Sequence, residues 1–353
     1  MTARLGKDPS LSLGIALHSG SPHPPPCKVF AFSPVPERMT RRVIAVLLII
    51  PALMTWPALA QETAPMSATV SVGYVMVPFM ATNKQGRPLE DLKKREVTLY
   101  VDGRPVLTDL FERIDSAPIS YAILLDASGS MGLSGKIAGA RAAIEGIISR
   151  SRPGDEYSLH VFAEGVLSEI VPFTKTGPEI LQAIDKVTPF GRTALFDALA
   201  MMPDKSLMGS NGSRAIILLT DGYDNASEMA VADLAANFEQ VNLPVYPVAL
   251  VEGSSADPEG QDESGVNLEV LEEVARLTGG RVSYLTEPED LVRALLSIQK
   301  ELRSQYLVGF SETGKGVSRF RSISLKLPRR ARSVHVRAGY RGTEPPLKSV
   351  RGR

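Results

Sequence analysis

Five oxygen-bearing side chains in three loops have the chemistry of a divalent metal site. Asp126, Ser128 and Ser130 form a D-x-S-x-S pattern, which aims one carboxylate and two hydroxyls at a common point. Thr193 and Asp221 follow further along the chain, each next to a predicted helix or strand. Carboxylate and hydroxyl oxygens are hard donors that suit Mg²⁺, Mn²⁺ or Ca²⁺ rather than soft metals. We therefore expect a divalent metal, with Mg²⁺ as the first choice and Mn²⁺ or Ca²⁺ as alternatives.

The surrounding sequence predicts that these loops meet at one edge of a parallel sheet. Apolar runs at 122–125, 215–219 and 245–251 are continuous, which is typical of strands buried on both faces. The first run ends at Asp126 and the second leads directly to Asp221. Ligands of open α/β sheets bind at the carboxyl ends of strands, so both aspartates can reach one place.

Helical patterns alternate with these predicted strands. Four stripes of apolar residues recur with helical spacing, at 137–148, 180–187, 231–241 and 291–302. The alternation over 118–303 predicts an α/β domain with a doubly wound, mostly parallel sheet. The acidic, Gly/Ser-rich segment 252–267 is expected to be a loop.

Both flanks of this domain read as short strands separated by turn signals. Neither flank alone has enough strands to bury two faces. We therefore expect 61–117 and 304–341 to pack together as one smaller β module. Residues 342–353 are expected to be a loose basic tail.

The formal net charge of zero hides an asymmetry. Residues 319–353 contain eleven Lys or Arg and one acid, whereas 61–318 contain 22 basic and 36 acidic residues. Such an end could bind nucleic acid or an anionic surface. Its Arg residues alternate with apolar ones, however, which favours the solvated face of a strand, and we expect no nucleic-acid partner.

Residues 39–60 have the three parts of a secretory signal peptide: an arginine pair, an apolar run of twelve residues, and small residues at Ala58 and Ala60. The apolar run is shorter than the roughly 20 residues of a spanning helix. A short membrane anchor is the alternative interpretation. We expect residues 1–38 to precede the true start, and a periplasmic or extracellular protein to begin at Gln61.

The single cysteine, Cys27, lies upstream of the predicted signal peptide. The mature chain would therefore contain no disulfide, no thiolate nucleophile, no cysteine metal ligand and no lipid-anchored cysteine. No later stretch is long and apolar enough to cross a membrane.

Taken together, the five oxygen ligands resemble the metal-ion-dependent adhesion site of von Willebrand factor A (VWA) and integrin I domains. The residues occur in the expected order and at ordinary spacings, and the resemblance covers 118 to about 303. Short flanking motifs at 86–88, 101–105 and 339–340 resemble a bacterial family of exported VWA proteins named for Acidobacteria.

The resemblance implies specific roles for these residues. Ser128 and Ser130 would bind the metal directly, Thr193 directly or through water, and the two aspartates often through water. An Asp or Glu of a partner protein would complete the octahedron. Two carboxylates against a dication leave the local charge near zero, so the site would accept a further carboxylate.

The same residues allow other interpretations. The two aspartates could merely cap helices and turns. Asp224 and Asn225 are expected to have a turn role, with support of the metal ligands as the alternative. The chain could be a scaffold subunit of an envelope complex with an incidental metal site, in which case partner binding would survive chelation. A hydrolase is disfavoured, since no G-x-S-x-G motif is present and neither His160 nor His335 adjoins a nucleophile. We expect no enzyme activity.

A faint phosphate-loop pattern at 130–137 fails, because Ser130 replaces its first glycine.

Overall fold

The computed structural model describes residues 71–239, 242–251, 263–314 and 319–342. The predicted signal peptide and nearly all of the predicted tail lie outside these ranges. Within them, no helix is both long and apolar enough to span a membrane.

The strands are β1 (Ser71–Thr82), β2 (Thr98–Val101), β3 (Arg104–Val106), β4 (Leu110–Ile114), β5 (Ile119–Asp126), β6 (Glu156–Ala163), β7 (Val166–Thr174), β8 (Ser213–Thr220), β9 (Val245–Leu250), β10 (Ser283–Leu285), β11 (Gln305–Gly314), β12 (Arg319–Lys326), β13 (Ser333–Val336) and β14 (Gly339–Gly342). The helices are α1 (Lys136–Ile148), α2 (Gly177–Ile184), α3 (Leu195–Leu207), α4 (Val231–Glu239), α5 (Glu263–Thr278) and α6 (Asp290–Leu302).

A six-stranded sheet with the order β10-β9-β8-β5-β6-β7 forms the centre of the α/β region. All neighbouring pairs are parallel except β6 and β7, which are antiparallel. Strand β5 is buried along its whole length, because other strands flank it and helices cover both faces. The predicted doubly wound, mostly parallel sheet is confirmed.

Alternate residues of each central strand pack into two separate hydrophobic layers. Ile123 and Leu125 face a layer formed with α1, α2 and α6. Ala122 and Leu124 face a layer formed with α3, α4 and α5. Because each layer holds the sheet from one side, the strand ends and their loops remain available for a site.

One part of the sequence interpretation was wrong. The segment 252–267 was expected to be a loop, but α5 begins at Glu263 within it. The physical reason lies further along the helix, where Val270, Leu271 and Val274 recur with helical spacing and are buried against the sheet. The acidic and glycine-rich composition before them concealed the start of an amphipathic helix.

The two flanks of the chain form one β module, as predicted. One four-stranded sheet has the order β13-β1-β11-β4 and the other has the order β14-β12-β2-β3. Each sheet contains strands from before and after the α/β region, and both contribute to one hydrophobic cluster that includes Phe79, Leu99, Tyr306 and Ile323. The flanks therefore depend on each other for their core.

Several arginines of the basic C-terminal end form ion pairs with acids of the described residues. Arg321 is buried and binds Asp102 at 3.0 Å and Glu312 at 2.7 Å, so its predicted position on the solvated face of a strand was wrong. Arg341 pairs with Glu239 at 3.0 Å. Part of the positive charge of the C-terminal end is thus neutralised by acids from the rest of the chain.

We predict that deletion of 304–353 unfolds the N-terminal flank as well. Strand β1 pairs with β11 and β13, both of which the deletion removes. Limited proteolysis should then cleave within 71–115, whereas deletion of 343–353 alone should leave this segment protected. Persistent protection of 71–115 in the larger deletion would contradict a shared core.

Candidate metal-binding site

The sheet order places two carboxylates side by side at the carboxyl ends of neighbouring strands. Strands β5 and β8 are adjacent and parallel, with Leu125 opposite Leu219, so Asp126 ends β5 beside the residue that ends β8. Asp221 follows β8 directly, and both aspartates are at most 1% exposed. The Thr220 hydroxyl donates to Asp126 Oδ2 at 2.6 Å and fixes that carboxylate across the strand pair.

The D-x-S-x-S loop folds its two serine hydroxyls toward each other. The backbone N–H of Ser128 donates to Asp126 Oδ1 at 2.8 Å, which turns the chain sharply after β5. The Oγ atoms of Ser128 and Ser130 lie 3.2 Å apart. The side chain of Met131 is buried at the end of this turn and anchors it to the core.

The loop that carries Thr193 is bonded to the D-x-S-x-S loop through the backbone. The N–H of Gly129 donates to Gly191 O at 3.0 Å, and the N–H of Phe190 donates to Ala127 O at 2.9 Å. Gly191 has φ +69°, a left-handed conformation that glycine adopts at little cost and other residues adopt with strain.

Asn225 holds the threonine from the opposite side. Its Oδ1 accepts the N–H of Thr193 at 2.9 Å, and Thr193 O accepts the N–H of Asn225 at 3.0 Å. The neighbouring Asp224 accepts the N–H of Phe196, in the first turn of α3, at 3.0 Å. A turn role was the preferred prediction for both residues, but Asn225 also bonds Thr193 itself and Asp224 bonds the first turn of α3 that follows it.

Burial strongly affects the electrostatics of the two carboxylates. It raises the pKa of Asp126 to about 6, and the charge of Asp221 adds to that rise. The buried ammonium of Lys136 lies 3.0 Å from Asp221 Oδ2. Asp221 Oδ1 is also buried, yet it has no hydrogen-bond partner among the residues that the structure describes.

These features fit a hard divalent cation. A buried carboxylate oxygen without a donor is costly unless a cation or water satisfies it. The two serine hydroxyls and the two carboxylates supply only oxygen, which is the ligand type that Mg²⁺, Mn²⁺ and Ca²⁺ take. In the described ranges, no group of three or more His, Cys, Asp or Glu side chains gathers to offer a different metal centre.

All five residues singled out from the sequence lie on the three loops at this edge of the sheet. Sequence reasoning missed Lys136 and Thr220. The signal for Thr220 was its position next to Asp221 at the end of a buried strand. Lys136 follows Asp126 by ten residues and lies in the segment 130–137, whose only recognised pattern is an incomplete phosphate loop.

Residues 121–223 match the family model for the von Willebrand factor type A domain. The chain contains a VWA domain. The matched span begins within β5 and ends two residues after Asp221, so it includes all three loops described above.

Solved structures that resemble this chain do so at low identity. They include the PilB minor pilin from Streptococcus sanguinis, at 15% identity with TM-score 0.43 over 53% of this chain and 62% of that chain. A von Willebrand factor type A protein from Catenulispora acidiphila matches at 13% with TM-score 0.44 over 80% and 76%. The conserved hypothetical protein BatB from Bacteroides thetaiotaomicron matches at 21% with TM-score 0.38 over 53% and 100%. The chain thus spans less than two thirds of the pilin. A comparison with curated proteins gave no match.

An apolar groove of about 490 Å³ lies next to the D-x-S-x-S loop of the VWA domain. Ala127 of that loop is one of its lining residues. Val166, Ile170 and Phe190 also line the groove, and these residues are 60%, 45% and 58% exposed. Large apolar side chains clustered beside a polar site form a surface suited to a protein partner.

We predict that the metal-free VWA domain loses stability as the pH rises from 5 to 7. The folded pKa of Asp126, about 6, lies above its ordinary value of 3.8, so the folded state holds this proton more tightly than the unfolded state. The contribution of Asp126 to the free energy of unfolding is fully present below pH 3.8 and is lost as the pH rises through 6. Between pH 5 and 7 the free energy of unfolding should fall by about 1 to 2 kcal/mol.

Urea denaturation in EDTA at the two pH values measures this loss. Asp126→Asn keeps an acceptor for the Ser128 N–H but cannot ionise, so its stability should change less over the same window. An equal change in wild type and variant would show that Asp126 does not titrate there.

Proposed function

We propose that this chain is an exported protein whose VWA domain holds a divalent metal and binds a partner protein through it. Mg²⁺ is the expected ion, with Mn²⁺ and Ca²⁺ as alternatives. The metal would be held by the five oxygen-bearing residues Asp126, Ser128, Ser130, Thr193 and Asp221. An Asp or Glu side chain of the partner would supply the remaining ligand. The proposal includes no catalytic step, and export rests on the signal-peptide pattern of the sequence.

The observation that carries the proposal is the buried Oδ1 of Asp221, which has no hydrogen-bond partner among the described residues and lies beside a second buried carboxylate. If the aspartates only capped turns, their oxygens would all accept hydrogen bonds from nearby N–H groups. Asp126 does accept hydrogen bonds on both oxygens, from the Ser128 N–H and the Thr220 hydroxyl, but Asp221 Oδ1 accepts none among the described residues. A dication at this point would satisfy that oxygen and offset the repulsion between the two carboxylates.

Two further features support a protein partner over a small anion. The site lies on loops at the sheet edge, where ligand contacts do not disturb the two hydrophobic layers. The apolar groove next to it exposes Val166, Ile170 and Phe190. A partner segment with an apolar side chain near its acidic residue could use both surfaces, since interfaces combine a buried apolar centre with a few polar anchors.

We predict that Asp126→Ala, or Ser128→Ala with Ser130→Ala, abolishes metal-dependent partner binding with little loss of folding. Removal of Asp126 takes away one of two charges that hold a hard dication, and Mg²⁺ tolerates incomplete oxygen ligation poorly. Calorimetry of the mature chain should show at least a tenfold loss of Mn²⁺ and Mg²⁺ affinity. A pull-down from the native secretome in Mg²⁺ should lose the partner that wild type retains.

The exposed Asp233 provides a matched control, because Asp233→Ala removes one carboxylate from the same domain without touching the site. This variant should bind metal and partner as wild type does. Partner binding by wild type that survives EDTA would instead favour the scaffold with an incidental metal site. Wild type that binds neither ion, even with an acidic peptide present, would refute the proposal.

A further inference from the structure

We propose that Lys136 is a built-in counter-ion of this site, which weakens the binding of the metal and makes the metal-loaded site selective for an anionic ligand. This inference rests on the proposed function, since it concerns the same metal and the same partner carboxylate. It assigns a role to a residue outside the five expected ligands.

The lysine comes from the same stretch of chain as the predicted ligands. It is the first residue of α1, which follows the turn that contains Ser130 and Met131. Its side chain is only 7% exposed, although a lysine at a helix start ordinarily extends into solvent. The Nζ atom donates to Asp221 Oδ2 at 3.0 Å, and the side chain of Asp221 is 1% exposed.

The two oxygens of Asp221 therefore have different surroundings. Oδ2 accepts the lysine, whereas Oδ1 is buried and has no hydrogen-bond partner among the described residues. A carboxylate has lone pairs on both oxygens, so an ion pair at one leaves the other available. Lys136 thus holds the Asp221 carboxylate in place while one oxygen stays open for a cation or its bound water.

The charge of Lys136 changes the net charge of the site both without and with a bound metal ion. Without metal, Asp126 and Asp221, when both are ionised, together with Lys136 carry a charge of −1. With a dication they carry +1, whereas the two carboxylates and the metal alone would be neutral. Charges that are buried and close together interact strongly because little solvent screens them. The lysine therefore weakens the binding of the dication by repulsion. Once the metal is bound, the net positive charge of the site attracts a carboxylate.

A purely structural ion pair makes a different prediction. A buried ion pair is weak evidence for stability in itself, and breaking one by removing a single partner leaves an uncompensated charge. If Lys136 served only to stabilise the fold, its removal would destabilise the protein whether or not metal was present. A counter-ion role predicts instead that the metal replaces the missing charge.

The test uses the mature chain with Lys136→Met, which keeps a side chain of similar length without the charge. We expect Mn²⁺ affinity, measured by calorimetry, to increase at least tenfold. We expect the melting temperature in EDTA to fall below that of wild type, and Mn²⁺ to raise it by more than it raises that of wild type. Lys175→Met, which removes an exposed lysine, should match wild type in every measurement. Unchanged or weaker Mn²⁺ affinity in a folded Lys136→Met variant would overturn the inference.

A second variant keeps the test decisive if Lys136→Met does not fold in EDTA. Adding Asp221→Asn removes the carboxylate charge that the lysine offsets, so the double variant should melt in EDTA close to wild type. A double variant that remains unfolded would show that the lysine acts through packing and would overturn the inference. Mn²⁺ binding by Lys136→Met but not by wild type would support the counter-ion role while contradicting the proposed function. Binding by neither would contradict both.

Discussion

Two carboxylates withdrawn from water at the ends of adjacent parallel strands need positive charge beside them. Asp126 and Asp221 are in this position, each at most 1% exposed. Burial raises the pKa of Asp126 to about 6, which shows how strongly the fold disfavours its charged form without a metal. The surrounding groups, from the Thr220 hydroxyl to the Lys136 ammonium, satisfy this requirement only in part. The arrangement of the site follows from that electrostatic constraint.

The fold tolerates two buried carboxylates at this position because the packed core of the sheet, and not the loops, provides most of its rigidity. Strand β5 is buried along its length and lies between β6 and β8, so its carboxyl end is fixed on both sides. Backbone hydrogen bonds between Gly129 and Gly191 and between Phe190 and Ala127 join the D-x-S-x-S loop to the loop that carries Thr193. Under the proposed function, the loops that carry the oxygen ligands would already be joined before an ion binds, which would reduce the entropy lost on binding.

Much of this could be predicted from the sequence, because the signals were local. Continuous apolar runs indicated buried parallel strands, and Asp126 and Asp221 stood at the ends of two of them. The pairing of β5 with β8 was not encoded locally, and neither was the reach of Lys136 from α1 to Asp221, which depends on the direction in which that helix leaves the loop. Arg321 was misplaced for a similar reason, since its partners Asp102 and Glu312 come from other strands of the β module. The start of α5 was hidden by an acidic composition that resembles a loop.

The most direct measurement of the central claim is anomalous diffraction from a crystal of the mature protein grown with Mn²⁺. The account predicts one strong peak among the side chains of Asp126, Ser128, Ser130, Thr193 and Asp221, close to the oxygen of Asp221 that has no hydrogen-bond partner among the described residues. A well-ordered crystal with no peak at this position, and with water or a protein donor bound to that oxygen instead, would contradict it.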